Sequence, residues 1–178
     1  TTKNTLVNHL RDDLKIKKTD LVFLHSGVLG LGKIDGGIET ITAAFENVLA
    51  EGLLVIPSFS YSWCNNEIFD PFSTDCPEMG TYASKVWKNS KFIRSSNPNF
   101  SVSALQNPSN HNLIKYIFSS PAEKTCFGEG SVFDRMHEIS KERDGHILLL
   151  GGAHNDVVFR CTFLHYVEEI MKIPYRYL

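Results

Sequence analysis

The sequence predicts an α/β fold, and three observations carry that prediction. The runs DLVFLHS, GLLVIPSFS and HILLLGG have the length of buried strands, and each ends in polar residues or glycine. Stretches with helical apolar spacing alternate with these runs. A glycine-rich segment, GVLGLGKIDGG, follows the first run directly and leads into a helix pattern.

In chain order, residues 4–14 place Leu6, Leu10 and Leu14 four apart, one face of a helix. DLVFLHS is a strand that delivers His25 and Ser26 at its carboxyl end. Residues 38–51 form a helix with Ile38, Ile41, Ala44, Phe45, Val48 and Leu49 on one side. GLLVIPSFS is the second strand. Residues 61–80 are rich in Asn, Asp, Pro, Ser and aromatics and read as a long ordered loop, a length that usually accompanies function. Residues 81–90 are helical, FSVSAL is a strand and HNLIKYIFSS a short helix. GSVFDRMHEISKER is a helix capped by Ser131, with Asp134 three residues on as an approximate capping box. HILLLGG is the third apolar strand, and residues 161–171 form a last helix with Thr162 as its start signal. Neither linker nor repeat interrupts the pattern, so residues 1–178 are read as a single domain.

The net charge of −2, with acids and bases interspersed, lacks the basic surplus that a phosphate backbone requires, so no nucleic-acid partner is expected. No apolar run approaches transmembrane length and no leader pattern opens the chain, so the expected setting is cytoplasmic, away from membranes. Cysteines stand at 64, 76, 126 and 161, with no Cys-x-x-Cys spacing. They are expected to be buried free thiols, and no metal site is expected.

The strand tips HSG, PSFS and LGGAH should meet, because ligands in open α/β sheets sit beyond the carboxyl ends of strands. The glycines of the first turn fit either a phosphate cradle at a helix N-terminus or ordinary turn chemistry. Their spacing matches neither the dinucleotide fingerprint nor a P-loop. His25, His154 and His165 fall near the expected site. His165 and Glu168 stand at i, i+3 and can share a helix face, with Glu169 as a competing partner. A carboxylate beside an imidazole orients its ring as a general base requires, and the pair equally fits a half-buried helix histidine with solvated acids. Cys161, on the same helix, is the one candidate thiol nucleophile beside a histidine. No Gly-x-Ser-x-Gly elbow is present.

Seven blocks, in order, resemble the aminoglycoside 3-N-acetyltransferase family: HSGVLGLGKIDGGIETI, PSFS, FDPFSTDCPEMG, RSSNPNFSVSA, FGEGS, HILLLGG and CTFLHYVEE. The resemblance implies a layered α/β sandwich around a central mixed sheet. It implies acetyl-CoA as cosubstrate, no metal, and an amine on an amino sugar as acceptor. Ser26, Gly27, Val28, Leu29, Gly30, Leu31 and Gly32, with Asp35, Gly36 and Gly37, resemble the family's coenzyme A loop. Ser101 and Val102 sit in its other cofactor-contacting segment. His165 resembles the family's catalytic base, with Glu168 as its carboxylate.

The chain departs from the family where relatives usually read Ser-x-His-Pro: it has Ser95-Ser96-Asn97-Pro98. Phe100 stands where a polar residue is frequent. The acceptor loop, SYSWCNNEIFDPF, is aromatic and only lightly acidic. Tyr61, Trp63, Asp70 and Glu129 are expected on the acceptor, and the sparse acid favours a polysaccharide-pathway amino sugar over a polycationic antibiotic. Relatives continue beyond the helix that holds His165, so the domain is expected to lack a C-terminal part. The competing reading is a non-catalytic remnant that binds coenzyme A or a sugar. A small-molecule amine is the expected partner, and a homodimer is allowed.

Overall fold

A computed structural model of the chain describes residues 1–119, 126–151 and 161–173. Helix α1 (Lys3–Asn8) opens the chain, its first turn closed by the Thr2 side chain, which accepts from the Thr5 N–H. It runs on into a π-helical turn, His9–Asp13. The wider turn, with the Leu14 N–H donating to the His9 carbonyl, breaks the four-residue spacing. Leu6 and Leu10 are buried as predicted, Leu14 is turned out to solvent, and Ile16 closes the core instead.

The strands are β1 (Leu21–Ser26), β2 (Leu53–Pro57), β3 (Phe92–Arg94), β4 (Val102–Leu105) and β5 (Gly145–Leu150). They form one mixed sheet in the order β3-β4-β2-β1-β5. β1 runs parallel to both β2 and β5, in register at Leu21↔Leu53 and Leu21↔Gly145, while β4 is antiparallel to β2 and β3. The layered sandwich with a mixed sheet is therefore the observed architecture.

Helices cover both faces. Val22, Leu24, Leu54 and Ile56 point towards α1, α2 (Glu39–Val48) and α3 (Gly80–Val86). Leu21, Phe23, Leu53 and Val55 point towards α4 (His111–Phe118), α5 (Val132–Ser140) and α6 (Thr162–Met171). This two-sided burial is why β1 and β2 read as continuous apolar runs and not as alternating ones. Each fully buried side chain in them contributes about 1.5–3 kcal/mol.

Two expectations about elements need correction. β3 was not expected as a strand: three residues are too few to show a period, and pairing with β4 makes it. Thr162 is the first helical residue of α6 and is buried, so Cys161 occupies the cap position, with no side-chain cap bond.

Candidate active site

The parallel pairing of β1 and β5 runs through Ser26↔Leu150, so the tips of β1, β2 and β5 open on one end of the sheet. A cleft of about 490 Å³ lies there. His25, Ser26 and Gly27 line it from the β1 tip, Phe59 and Tyr61 from the β2 tip, and His165 from α6.

Packing sets the register of α6. Phe163 lies edge-on to Phe23 of β1, with ring centroids 5.2 Å apart, and edge-on to Phe133 of α5 at 5.4 Å. The Tyr166 hydroxyl donates to Asp134 Oδ1 over 2.9 Å, and burial pushes this phenol up. Asp134 is fixed in turn: its N–H donates to the Ser131 hydroxyl, and its Oδ2 accepts from the Gly130 N–H. The predicted capping residues of α5 thus also anchor the helix that carries His165.

His165 is then presented to the cleft between two aromatic rings, with centroids 5.9 Å from Phe100 and 5.7 Å from Phe127. Its Nδ1 lies 3.2 Å from Glu168 Oε2, one helical turn on, and both side chains are largely buried. With the proton on Nδ1 directed to the carboxylate, the lone pair lies on Nε2. A general base uses this tautomer, and a carboxylate beside an imidazole orients the ring.

The glycine turn packs tightly against the β5 tip. A Cβ on Gly30 would lie 1.9 Å from the Gly151 carbonyl oxygen, and one on Gly151 would lie 2.3 Å from the Gly27 carbonyl oxygen. Only glycine permits this approach. Several N–H groups of the turn are committed within the protein: Gly27 to Leu150, Gly30 to Gly27, Gly32 to Leu29, Asp35 to Thr1 and Gly37 to Ile34. The turn's outer surface, including Leu29, Gly30 and Gly32, remains exposed beside the cleft.

The wall formed by residues 58–79 hangs on Arg94, a residue the sequence reading did not single out. Its guanidinium is buried, donating to the carbonyls of Ser58 and Thr74 and, through Nε, to the Ser101 hydroxyl at 3.1 Å. Phe69 and Trp87 flank it, 5.0 and 4.7 Å from ring centroid to guanidinium carbon. A carboxylate-free, carbonyl-lined cation site has no sequence signature. The nearest signal was Arg94 at the head of the RSSNPNFSVSA block.

The structure brings together Ser26, Gly27, Tyr61, His165 and, through its bond to the imidazole, Glu168. The rest of the turn, Val28 to Gly32 with Asp35, Gly36 and Gly37, extends from the cleft's edge. Ser101 and Val102 are fully buried. The Ser101 hydroxyl donates to the Ser58 carbonyl and the Val102 side chain packs in the core, so neither side chain lines the cleft. Asp70 shapes its own turn, accepting from the Phe72 N–H at 2.9 Å and the Ser73 hydroxyl at 2.6 Å; those bonds hold its carboxyl below the usual range. Glu129 is exposed and away from the cleft lining. The Trp63 side chain and His154 lie outside the described residues. Glu78, Met79 and Phe100 line the cleft in addition.

All four cysteines are free; contrary to the expectation that all are buried, Cys64 is exposed in a solvent-facing turn and Cys126 is half-buried. Burial pushes the Cys161 thiol up, which disfavours a thiolate nucleophile there. Among the described residues no group of three His, Cys, Asp or Glu side chains is placed to hold a metal, and no helix is long and apolar enough to cross a membrane.

The sequence matches the family model described as aminoglycoside 3-N-acetyltransferase over residues 23–178. The chain belongs to this family. Its fold agrees with solved members. The apoenzyme of aminoglycoside acetyltransferase AAC(3)-IVa superposes with a TM-score of 0.75 at 27% identity, covering 97% of this chain and 62% of that one. A histidine-to-alanine mutant of the same enzyme, in complex with gentamicin, gives a TM-score of 0.75 at 26% identity, covering 97% and 61%. AAC-IIIb, solved as a binary complex with CoASH, shares the fold with a TM-score of 0.74 at 22% identity, covering 96% and 65%. The chain therefore spans about three fifths of the length of these family members. A comparison with curated proteins gave no match.

Proposed function

We propose that the chain is an N-acetyltransferase that moves the acetyl group of acetyl-CoA to an amine of an aminoglycoside, with His165 as general base. The observation that carries this reading is the His165–Glu168 pair, 3.2 Å apart, presented to a cleft at the carboxyl ends of the parallel strands. Family membership supports the reaction class. The exposed glycine turn at the cleft's edge fits a cofactor arm, with Ser26 and Gly27 common to turn and cleft. The buried side chains of Ser101 and Val102 lie off the cleft's lining.

Acetyl-CoA supplies an activated acyl group when bound. The acceptor amine attacks the thioester carbonyl and the new N–C bond forms. His165 Nε2 removes the amine proton, Glu168 stabilises the imidazolium, and the proton passes to the departing sulfur as the C–S bond breaks. No covalent enzyme intermediate is needed, which agrees with the protonated state of Cys161.

A second acceptor class is favoured by one observation. Among the described residues lining the cleft, Glu78 is the one carboxylate, which suits a singly charged polysaccharide-pathway amino sugar better than a polycation. The solved relative with gentamicin supports the aminoglycoside as the leading reading.

The test is amine-dependent release of free coenzyme A from acetyl-CoA, with gentamicin, apramycin and nucleotide-linked amino sugars as acceptors. The best amine identifies the acceptor class. Absence of release with every amine would overturn the transferase reading and leave a binding remnant.

A further inference from the structure

The cleft contains a second imidazole that the mechanism above does not use. His25 ends β1 immediately before the glycine turn, so it stands where the turn and the cleft join. Its ring lies edge-on to Phe23 at 5.2 Å, and Phe23 also contacts Phe163, two residues before His165. One phenylalanine thus fixes the strand tip that carries one histidine and the helix that carries the other.

The His25 Nε2 is buried and makes no hydrogen bond among the described residues. Native folds leave few polar atoms in that state, and those that remain call for a role. Burial pushes the ring's pKa down to about 4, so it is a neutral donor and acceptor at neutral pH. A half-turn about χ2 exchanges nitrogen and carbon positions with little change in shape, so the ring can turn its N–H towards the cleft.

The chemistry needs such a group. As the amine attacks, negative charge gathers on the thioester carbonyl oxygen. Among the described residues lining the cleft there is no Lys or Arg to receive it. The N–H of Gly27, the backbone donor next to the turn, is already given to the Leu150 carbonyl at 2.7 Å.

We propose that His25 is a catalytic hydrogen-bond donor that holds the thioester carbonyl oxygen; this rests on the acetyltransferase reading above. His165 takes the proton and His25 takes the developing charge. A neutral imidazole suits the second task because it competes for no proton with the first.

The test uses the full chain with ¹⁵N-labelled histidine and a ketone analogue of acetyl-CoA in which a methylene replaces the sulfur. The His25 ring signals are expected to move on binding the analogue and to stay in place with coenzyme A alone. His25→Phe should lower kcat by about 10²–10³-fold with the KM for acetyl-CoA within about threefold. His25→Asn, which keeps an N–H, should recover part of that loss. Binding of the analogue without any response at His25, or a wild-type kcat in His25→Phe, would overturn this inference and leave the His165 reading standing. Failure of both ligands to bind would overturn the transferase reading, and this inference with it.

Discussion

The sheet carries an imidazole–carboxylate pair at each end, and the two pairs differ in everything except their chemistry. At the carboxyl end, His165 lines a cleft between two aromatic rings and meets Glu168, which is off the cleft's lining. At the amino end, His146 of β5 meets Asp20, with Nε2 2.8 Å from Oδ2. Asp20 is 1% exposed and also accepts the Lys17 N–H at 2.8 Å, so it ties the entry of β1 to β5 and to the preceding turn. The amino-end pair has the shorter contact and the deeper carboxylate, yet neither member lines the cleft at the other end of the sheet. An imidazole beside a carboxylate is therefore no site by itself. A cavity at the strand tips and a helix that aims the ring into it make the difference.

Four perturbations break or sharpen this contrast. The largest concerns the cleft's wall. Arg94→Met leaves the carbonyls of Ser58 and Thr74 and the Ser101 hydroxyl without their donor. It should cost about 4 kcal/mol in urea unfolding, with the loop of residues 58–79 the first segment to exchange its amide hydrogens.

Acid comes next. His25 has its pKa lowered from 6.5 to about 4 by burial, so the unfolded chain takes up the proton first. The stability this ring contributes is complete above its unfolded value and is lost as pH falls from 6.5 to about 4, by about 3 kcal/mol in all. Urea melts across that interval should show the loss in the wild type, and His25→Phe should flatten it.

Glu168→Gln removes the charge that orients His165 and should lower kcat for amine-dependent coenzyme A release by about 10–100-fold, with little change in urea midpoint. His146→Gln, at the opposite end, should cost about 1 kcal/mol of stability and leave kcat within about twofold. If His146→Gln lowered turnover as much as Glu168→Gln, the two ends would not be separable.

Legibility in the sequence follows the same divide. β1 and β2 were readable because burial on both faces forces unbroken apolar runs, and α2 because one of its faces is buried; β5 was readable from its apolar run although, at the sheet's edge, it is only half-buried. Ser131 with Asp134 announced α5. His165 and Glu168 were readable as a pair, while their placement in a cavity depends on Phe23, Phe133 and Tyr166, which are distant in sequence. β3 is too short to carry a pattern, and the π turn after α1 leaves no mark in the spacing of Leu6, Leu10 and Leu14. Ser101, Val102 and Asp70 read as ligand contacts, and the structure engages their side chains within the fold. Arg94 was silent because its partners are backbone carbonyls, which no side-chain motif records.

The central claim is that His165 moves the proton. Its most direct test is His165→Asn, measured on one preparation for acetyl-CoA affinity by calorimetry and for amine-dependent coenzyme A release. The account predicts affinity within about twofold of wild type and a fall in kcat of about 10³-fold. Turnover close to wild type, with affinity preserved, would contradict it.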